Sequence, residues 1–169
     1  YLTVLIIILA LHLYNFEYDP VELISIKQQD FTNLATFYRA RSYFEIPLVN
    51  SSFLDFLAAI PMGLLNGLFR PLPWDIVKTI HILPFIESIL ILAFISIVLF
   101  RFVSQKIHLK IKDNMYIISF TSFTLLLYTL IGITTPVIGA LVRYKIPGTL
   151  FLILSIYILH IHNLKHEKK

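Results

Sequence analysis

Apolar positions in this chain are gathered into runs rather than stripes, and the runs set the expected architecture. Thr79 to Phe100 (TIHILPFIESILILAFISIVLF) is nearly unbroken, Tyr116 to Thr135 follows it, and Thr149 to His162 closes the series. A bilayer core takes about 20 predominantly apolar residues of helix, so these runs predict membrane-crossing helices. Leu2 to Tyr14 is equally apolar, but the first run covers roughly 14 residues, short of a full span, and reads as the end of a membrane helix. The expectation is an all-α polytopic transmembrane bundle, one domain over residues 1–169, forming the C-terminal part of a larger membrane protein.

Ser52 to Trp74 is apolar but interrupted by Asp55, Pro61, Gly63, Gly67 and Arg70-Pro71. Irregular backbone at membrane depth is tolerated only where other helices or a water-filled cavity satisfy it. Two readings of residues 53–69 stay open, a re-entrant hairpin and a kinked transmembrane helix, and Trp74 is an interface anchor in both. Between Tyr14 and Ser52 the chain is polar, with Glu17, Asp19, Glu22, Asp30 and Glu45 against Lys27, Arg39 and Arg41. Phe31, Leu34, Ala35 and Tyr38 recur there at helical spacing, which fits an amphipathic helix on the membrane surface as well as it fits a solvated loop.

Cations orient the runs. Arg101, Lys106, Lys110 and Lys112 follow the Thr79 to Phe100 helix, and the tail HNLKHEKK carries three lysines, so both ends are expected in the cytoplasm of an inner-membrane protein. Two helices separate these basic stretches, which puts the intervening segment ITTPVIGALVRYKIP (Ile133 to Pro147) outside. That segment is expected to turn between Pro136 and Pro147, and its Arg143 and Lys145 run against the charge bias.

Composition sharpens the class more than the function. With 57% apolar and 14% charged residues and a mean hydropathy of +0.80, the chain holds more apolar surface than a soluble core of this size buries. The net charge of +4 resides in short loops between apolar runs and reads as topology, not as a nucleic-acid surface. The absence of cysteine excludes thiolate metal sites and cysteine nucleophiles. The sequence contains no P-loop, dinucleotide fingerprint, HExxH or GxSxG motif, and no cofactor or metal is implied. His160 and His162, two apart on a helix, point to different faces and are poorly spaced as ligands.

Glu87 stands in an apolar helix, where a carboxylate needs a partner or a proton. Arg70, Arg143 and His81 are the candidate partners, and a role as catalytic acid or base is the alternative to a structural pair. Pro84 suits a first helical turn, so Glu87 would sit near the start of its helix. The cations expected outside are Arg39, Arg41, Arg70, Arg143 and Lys145. Converging, they would form a site for a diphosphate or an anionic headgroup, with the planar Arg143 fork suited to phosphate.

The segment Gly139-Ala-Leu-Val-Arg-Tyr-Lys-Ile-Pro147, followed by an apolar helix and a basic tail, resembles the C-terminal end of multi-pass bacterial envelope glycan polymerases and lipid-linked glycosyltransferases. LFRPLPWD (Leu68 to Asp75), leading into a helix with the early Glu87, resembles an element that accompanies it. The resemblance implies work on a polyprenyl-diphosphate-linked sugar at the outer face, with Arg143 and Arg70 holding the diphosphate and Glu87 orienting an arginine or acting as base. Such enzymes have more helices, and their catalytic residues have no match here. A non-catalytic subunit of a larger membrane complex is the other reading, with membrane lipid and other subunits as its partners.

Overall fold

The computed structural model describes residues 2–14, 19–50, 52–76, 79–104 and 111–167. Within them the chain is all-α: α1 (Leu2–Leu13), α2 (Pro20–Phe37), α3 (Phe53–Phe69), α4 (Ile82–Ser104), α5 (Ile111–Thr134) and α6 (Ile138–Glu167). Two single 3-10 turns, Pro73–Asp75 and Thr79–His81, join α3 to α4. Lys106 and Lys110 of the expected cytoplasmic loop, and Lys168 and Lys169 of the tail, lie outside the described residues.

The centre of the fold is an antiparallel hairpin of α5 and α6. Its turn is much shorter than the expected Pro136 to Pro147 segment, because α6 already begins at Ile138 and passes through Pro147. Proline removes one backbone donor and crowds the preceding turn, but contacts on both sides of Pro147 hold the helix together. The Thr124 hydroxyl donates to the Gly148 carbonyl at 3.0 Å, and the Thr149 hydroxyl donates to the Lys145 carbonyl at 3.1 Å.

Alongside α5 lies α3, running the opposite way. It is one continuous helix with the expected bounds, carried through Pro61, and not a hairpin. Gly63 and Gly67 are contact points rather than breaks: a Cβ on Gly67 would run into the backbone of Tyr128, and one on Gly132 of α5 into the carbonyl of Gly63. Small residues four apart let two helix backbones meet. Around this contact pack Phe56, Ala59 and Ile133, with Val21 of α2 and Val49.

One end of the hairpin is closed by α2 and the extended segment after it. Asp19 caps α2, its carboxylate accepting from the Val21 N–H at 2.9 Å, and Pro20 occupies the first turn. The face turned inward is Val21, Ser25, Gln28 and Ala35, whereas Leu34 and Tyr38 of the expected amphipathic face are exposed. The reason is polar: fully buried Gln28 donates to the carbonyls of Pro47 (2.7 Å) and Ile133 (2.9 Å) and accepts from the Val49 N–H (2.8 Å). It thereby satisfies a carbonyl left over at the C-terminus of α5. The strap from Ser42 to Phe44 completes the closure, since the Ile138 N–H donates to the Ser42 carbonyl and the Phe44 N–H to that of Pro136.

Outside these contacts the surface is strongly apolar. Met115–Thr134 and Ile138–Ile161 are long and apolar enough to cross a membrane, yet just 33% and 22% of an apolar 18-residue window in each is buried. Leu2–Leu13, Phe53–Phe69 and Ile82–Ile97 are apolar but shorter.

Candidate functional site

Helix α4 runs beside α6 in the same direction, Glu87 facing the level of Lys145 and the Phe94 ring lying 6.0 Å from that of His160. Between them, over Tyr128 of α5, opens a cavity of about 120 Å³. Its polar lining is Glu87, Ser88, Tyr128, Lys145 and Thr149, and the rest is aliphatic. The level of this cavity is set by α3, which ends at Arg70 partway along α5.

Lys145 is the centre of the site. It is 8% exposed, its Nζ donates to the Arg70 carbonyl at 2.9 Å, and it stands 5.3 Å from the centroid of the Tyr128 ring. Tyr128 and Thr149 join hydroxyls at 2.8 Å beside it. An ammonium has three donors, and one of them is accounted for by the Arg70 carbonyl. Among the described residues no carboxylate comes within ion-pair distance of it; the ion pairs there are His12 with Asp19 and Arg70 with Asp75.

The expected pairing of Glu87 with Arg70 or Arg143 is not what forms. Arg70 bonds Asp75 at 2.8 Å through Nη1 and Asn66 at 3.1 Å through Nε, and its guanidinium carbon lies 3.7 Å from the centroid of the Phe44 ring. The second Asp75 oxygen accepts from the Leu72 N–H at 2.9 Å. An acid five residues along the chain outcompetes one seventeen away because the Pro73–Asp75 turn delivers it directly onto the end of α3. Burial lowers the Arg70 pKa from its ordinary value, and the charge and hydrogen bond of Asp75 oppose that shift. Glu87, exposed at the cavity mouth, has no hydrogen bond or ion pair among the described residues. His81 is buried, and its Nδ1 has no partner among them either.

The five expected cations do not converge. Arg143, two residues from Lys145 and so on another face of α6, is exposed, and its Nε donates to the Gly139 carbonyl at 3.2 Å. Arg39 and Arg41 are exposed on the turn after α2, at the end of the hairpin closed by that strap. Arg39 has a local task there: with φ of 48° it is the left-handed residue ending α2, its N–H on the Thr36 carbonyl and the next N–H, of Ala40, on that of Ala35. No contact among the described residues ties Arg39, Arg41 or Arg143 to the cavity. Ser88, Tyr128 and Thr149 were not singled out from sequence, where single hydroxyls in apolar runs carry no distinguishing pattern. Asp75 and Asn66 had a weak signal in their spacing of five and four residues from Arg70. No family model matches this chain, and no curated protein or solved structure is significantly similar to it.

Proposed function

We propose that this chain is an integral membrane protein that handles a phosphate-bearing, lipid-linked sugar in envelope glycan assembly. The carrying observation is Lys145, a buried ammonium in a largely aliphatic cavity, anchored by a backbone carbonyl and left without a carboxylate partner among the described residues. A buried cation with no carboxylate at ion-pair distance among the described residues is costly, and an anionic phosphate group supplies the close contact that Glu87, on the opposite wall, does not make. The glycan part of the reading rests on the resemblance of Leu68 to Asp75 and Gly139 to Pro147. Arg143, Arg39 and Arg41 lie away from this cavity, and Arg70 serves mainly to fix the end of α3.

Membrane insertion as a polytopic bundle is supported by the low burial of the two long apolar stretches and by the many exposed large apolar side chains, among them Leu83 (74%), Leu90 (64%) and Leu150 (60%). Soluble monomers rarely expose contiguous apolar surface on this scale. In the reading proposed, the turn at Pro136 faces outward with Arg39 and Arg41, and the opposite end, where α4 and α6 finish, faces the cytoplasm. Labelling of intact cells with an impermeant thiol reagent tests it: Arg41→Cys is expected to react and Lys110→Cys to stay protected, and the reverse pattern overturns the orientation.

The glycan reading is tested by replacing Lys145 with Gln, which keeps a donor for the Arg70 carbonyl while removing the charge. Accumulated lipid-linked intermediate and lost envelope glycan are expected; normal glycan in cells making stable variant protein overturns it. The non-catalytic subunit is favoured by one observation, that Glu87 has no hydrogen bond or ion pair among the described residues to orient it as acid or base. For that reading, purified protein alone turns over no lipid-linked sugar but co-purifies with a catalytic chain.

A further inference from the structure

The cavity also limits what it can hold. Its opposite walls bear opposite charges, Lys145 on α6 and Glu87 on α4, which line one space but form no ion pair. Lys145 is buried at the inner side; Glu87 and Ile146 are both exposed and line the cavity, so they mark its mouth. A volume of about 120 Å³ is well below the roughly 300 Å³ at which pockets begin to enclose a drug-sized ligand. A sugar diphosphate does not fit inside such a space, whereas one phosphate group does. One helical turn on from Glu87 and Ile146, exposed Leu90 of α4 and Leu150 of α6 offer hydrocarbon contact.

We propose that the α4–α6 cavity seats a single lipid phosphate together with a hydrogen-bond donor attached to it, Lys145 taking the phosphate and Glu87 the donor. This rests on the membrane reading above and gives the ligand class of the same site. The phosphate accepts from the Lys145 ammonium, with the Thr149 and Tyr128 hydroxyls lining the same pocket. Glu87, an acceptor when ionised, takes the hydroxyl or ammonium at the mouth, and the lipid tail leaves between α4 and α6. Two sources share this chemistry, a phospholipid headgroup and the lipid-proximal phosphate of a polyprenyl-diphosphate-linked sugar, whose hydroxyls are the donors.

Native mass spectrometry of the detergent-purified full chain separates the possibilities. The probes are phosphatidylethanolamine and phosphatidylglycerol (phosphate plus donor), the phosphatidylmethanol analogue (phosphate without donor) and a polyprenyl-diphosphate-linked hexose (phosphate plus sugar hydroxyls). Lys145→Gln is expected to weaken binding of all of them by at least tenfold, because it removes a charge-assisted bond. Glu87→Gln is expected to weaken the two donor-bearing phospholipids about tenfold while leaving phosphatidylmethanol unchanged. Equal loss for phosphatidylmethanol, or no loss for any probe, overturns the two-point site. An unchanged melting temperature of each lipid-free variant separates lost contact from lost fold; should Lys145→Gln melt early, Thr149→Val and Glu87→Gln carry the test. Preferred binding of the polyprenyl-diphosphate-linked hexose identifies the source as the glycan carrier. Preferred phospholipid binding alongside normal glycan in Lys145→Gln cells keeps the site and overturns the glycan function alone.

Discussion

Between α3 and α5 the backbones touch, Gly63 and Gly67 against Tyr128, Gly132 and Ile133; between α4 and α6 they stand apart around a cavity. The first contact has no room for a methyl group and contains almost no side-chain polarity beyond Asn66, whose amide nitrogen reaches the Gly132 carbonyl at 3.5 Å. The second keeps an ammonium, a carboxylate and three hydroxyls along one wall or another. In the membrane reading proposed above, surrounding lipid is as apolar as leucine, so burial of apolar surface gives helices little reason to associate, and close approach supplies dispersion instead. The α3–α5 contact, together with the α5–α6 hairpin, thus holds the bundle, and that leaves α4 and α6 free to remain open around charge.

The sharpest way to break this comparison is a methyl group at the closed contact. Gly132→Ala places a Cβ on the Gly63 carbonyl, backbone against backbone, with no flexible side chain to yield. A loss of about 3 kcal/mol or more is expected, in the range where overpacking forces helices apart. Gly139→Ala is the control, since a Cβ there meets nothing within 4 Å, and it is expected to be neutral or to gain about 0.5 kcal/mol from the better helix propensity of alanine. Thermal melts in detergent check both, and equal effects would mean that the Gly63–Gly132 contact does not hold α3 against α5.

Next in size is the junction where the two interfaces meet. Arg70 and Asp75 are mostly buried, with side-chain exposures of 15% and 8%. Arg70→Met leaves the Asp75 carboxylate uncompensated and is expected to cost about 3 kcal/mol, while Arg70→Met with Asp75→Leu recovers most of that. A double variant as unstable as the single one would mean that the guanidinium matters through Phe44 and Asn66 rather than through its charge partner.

Much of the helical framework could be read from apolar runs, and the misreadings share one cause. Pro61, Gly63, Gly67 and Pro147 were taken as local breaks, yet what happens at each is decided by a neighbouring helix that a linear reading does not see. The GxxxG spacing of Gly63 and Gly67 was the available sign that they mark a contact. Lys145 drew notice because its charge offended topology. Its isolation in a cavity was not legible, since it depends on α3 stopping at Arg70 and on Asp75 engaging that arginine first. Gln28 carried no signal at all, because a single amide among polar neighbours does not announce that three backbone groups converge on it.

A smaller effect, and one of opposite sign, is expected at Arg39. If its purpose is to end α2 in the left-handed region, Arg39→Gly relieves a backbone strain of about 1 kcal/mol, partly offset by the greater freedom of glycine in the unfolded chain. A net gain of about 0.5 kcal/mol is expected with lipid binding unchanged. Weakened binding in the stabilised variant would return Arg39 to the anion site.

The smallest effect on stability is expected at Glu87, where the sequence alone suggested one of the largest. A carboxylate locked to a buried arginine would cost about 3 kcal/mol or more to neutralise, and Glu87→Gln would then rank with Gly132→Ala. At the mouth of the open cavity the carboxylate is exposed and free of ion pairs among the described residues, so its neutralisation is expected to change stability by less than about 0.5 kcal/mol. Lys145 keeps its bond to the Arg70 carbonyl in that variant, and the contact between Gly63 and Gly132 is untouched. A melting curve superimposable on the parent, with altered lipid selectivity, places Glu87 on the open side of the comparison as a ligand group. A loss near 3 kcal/mol would mean that α4 closes on α6 through this carboxylate, and the two interfaces would then differ in degree rather than in kind.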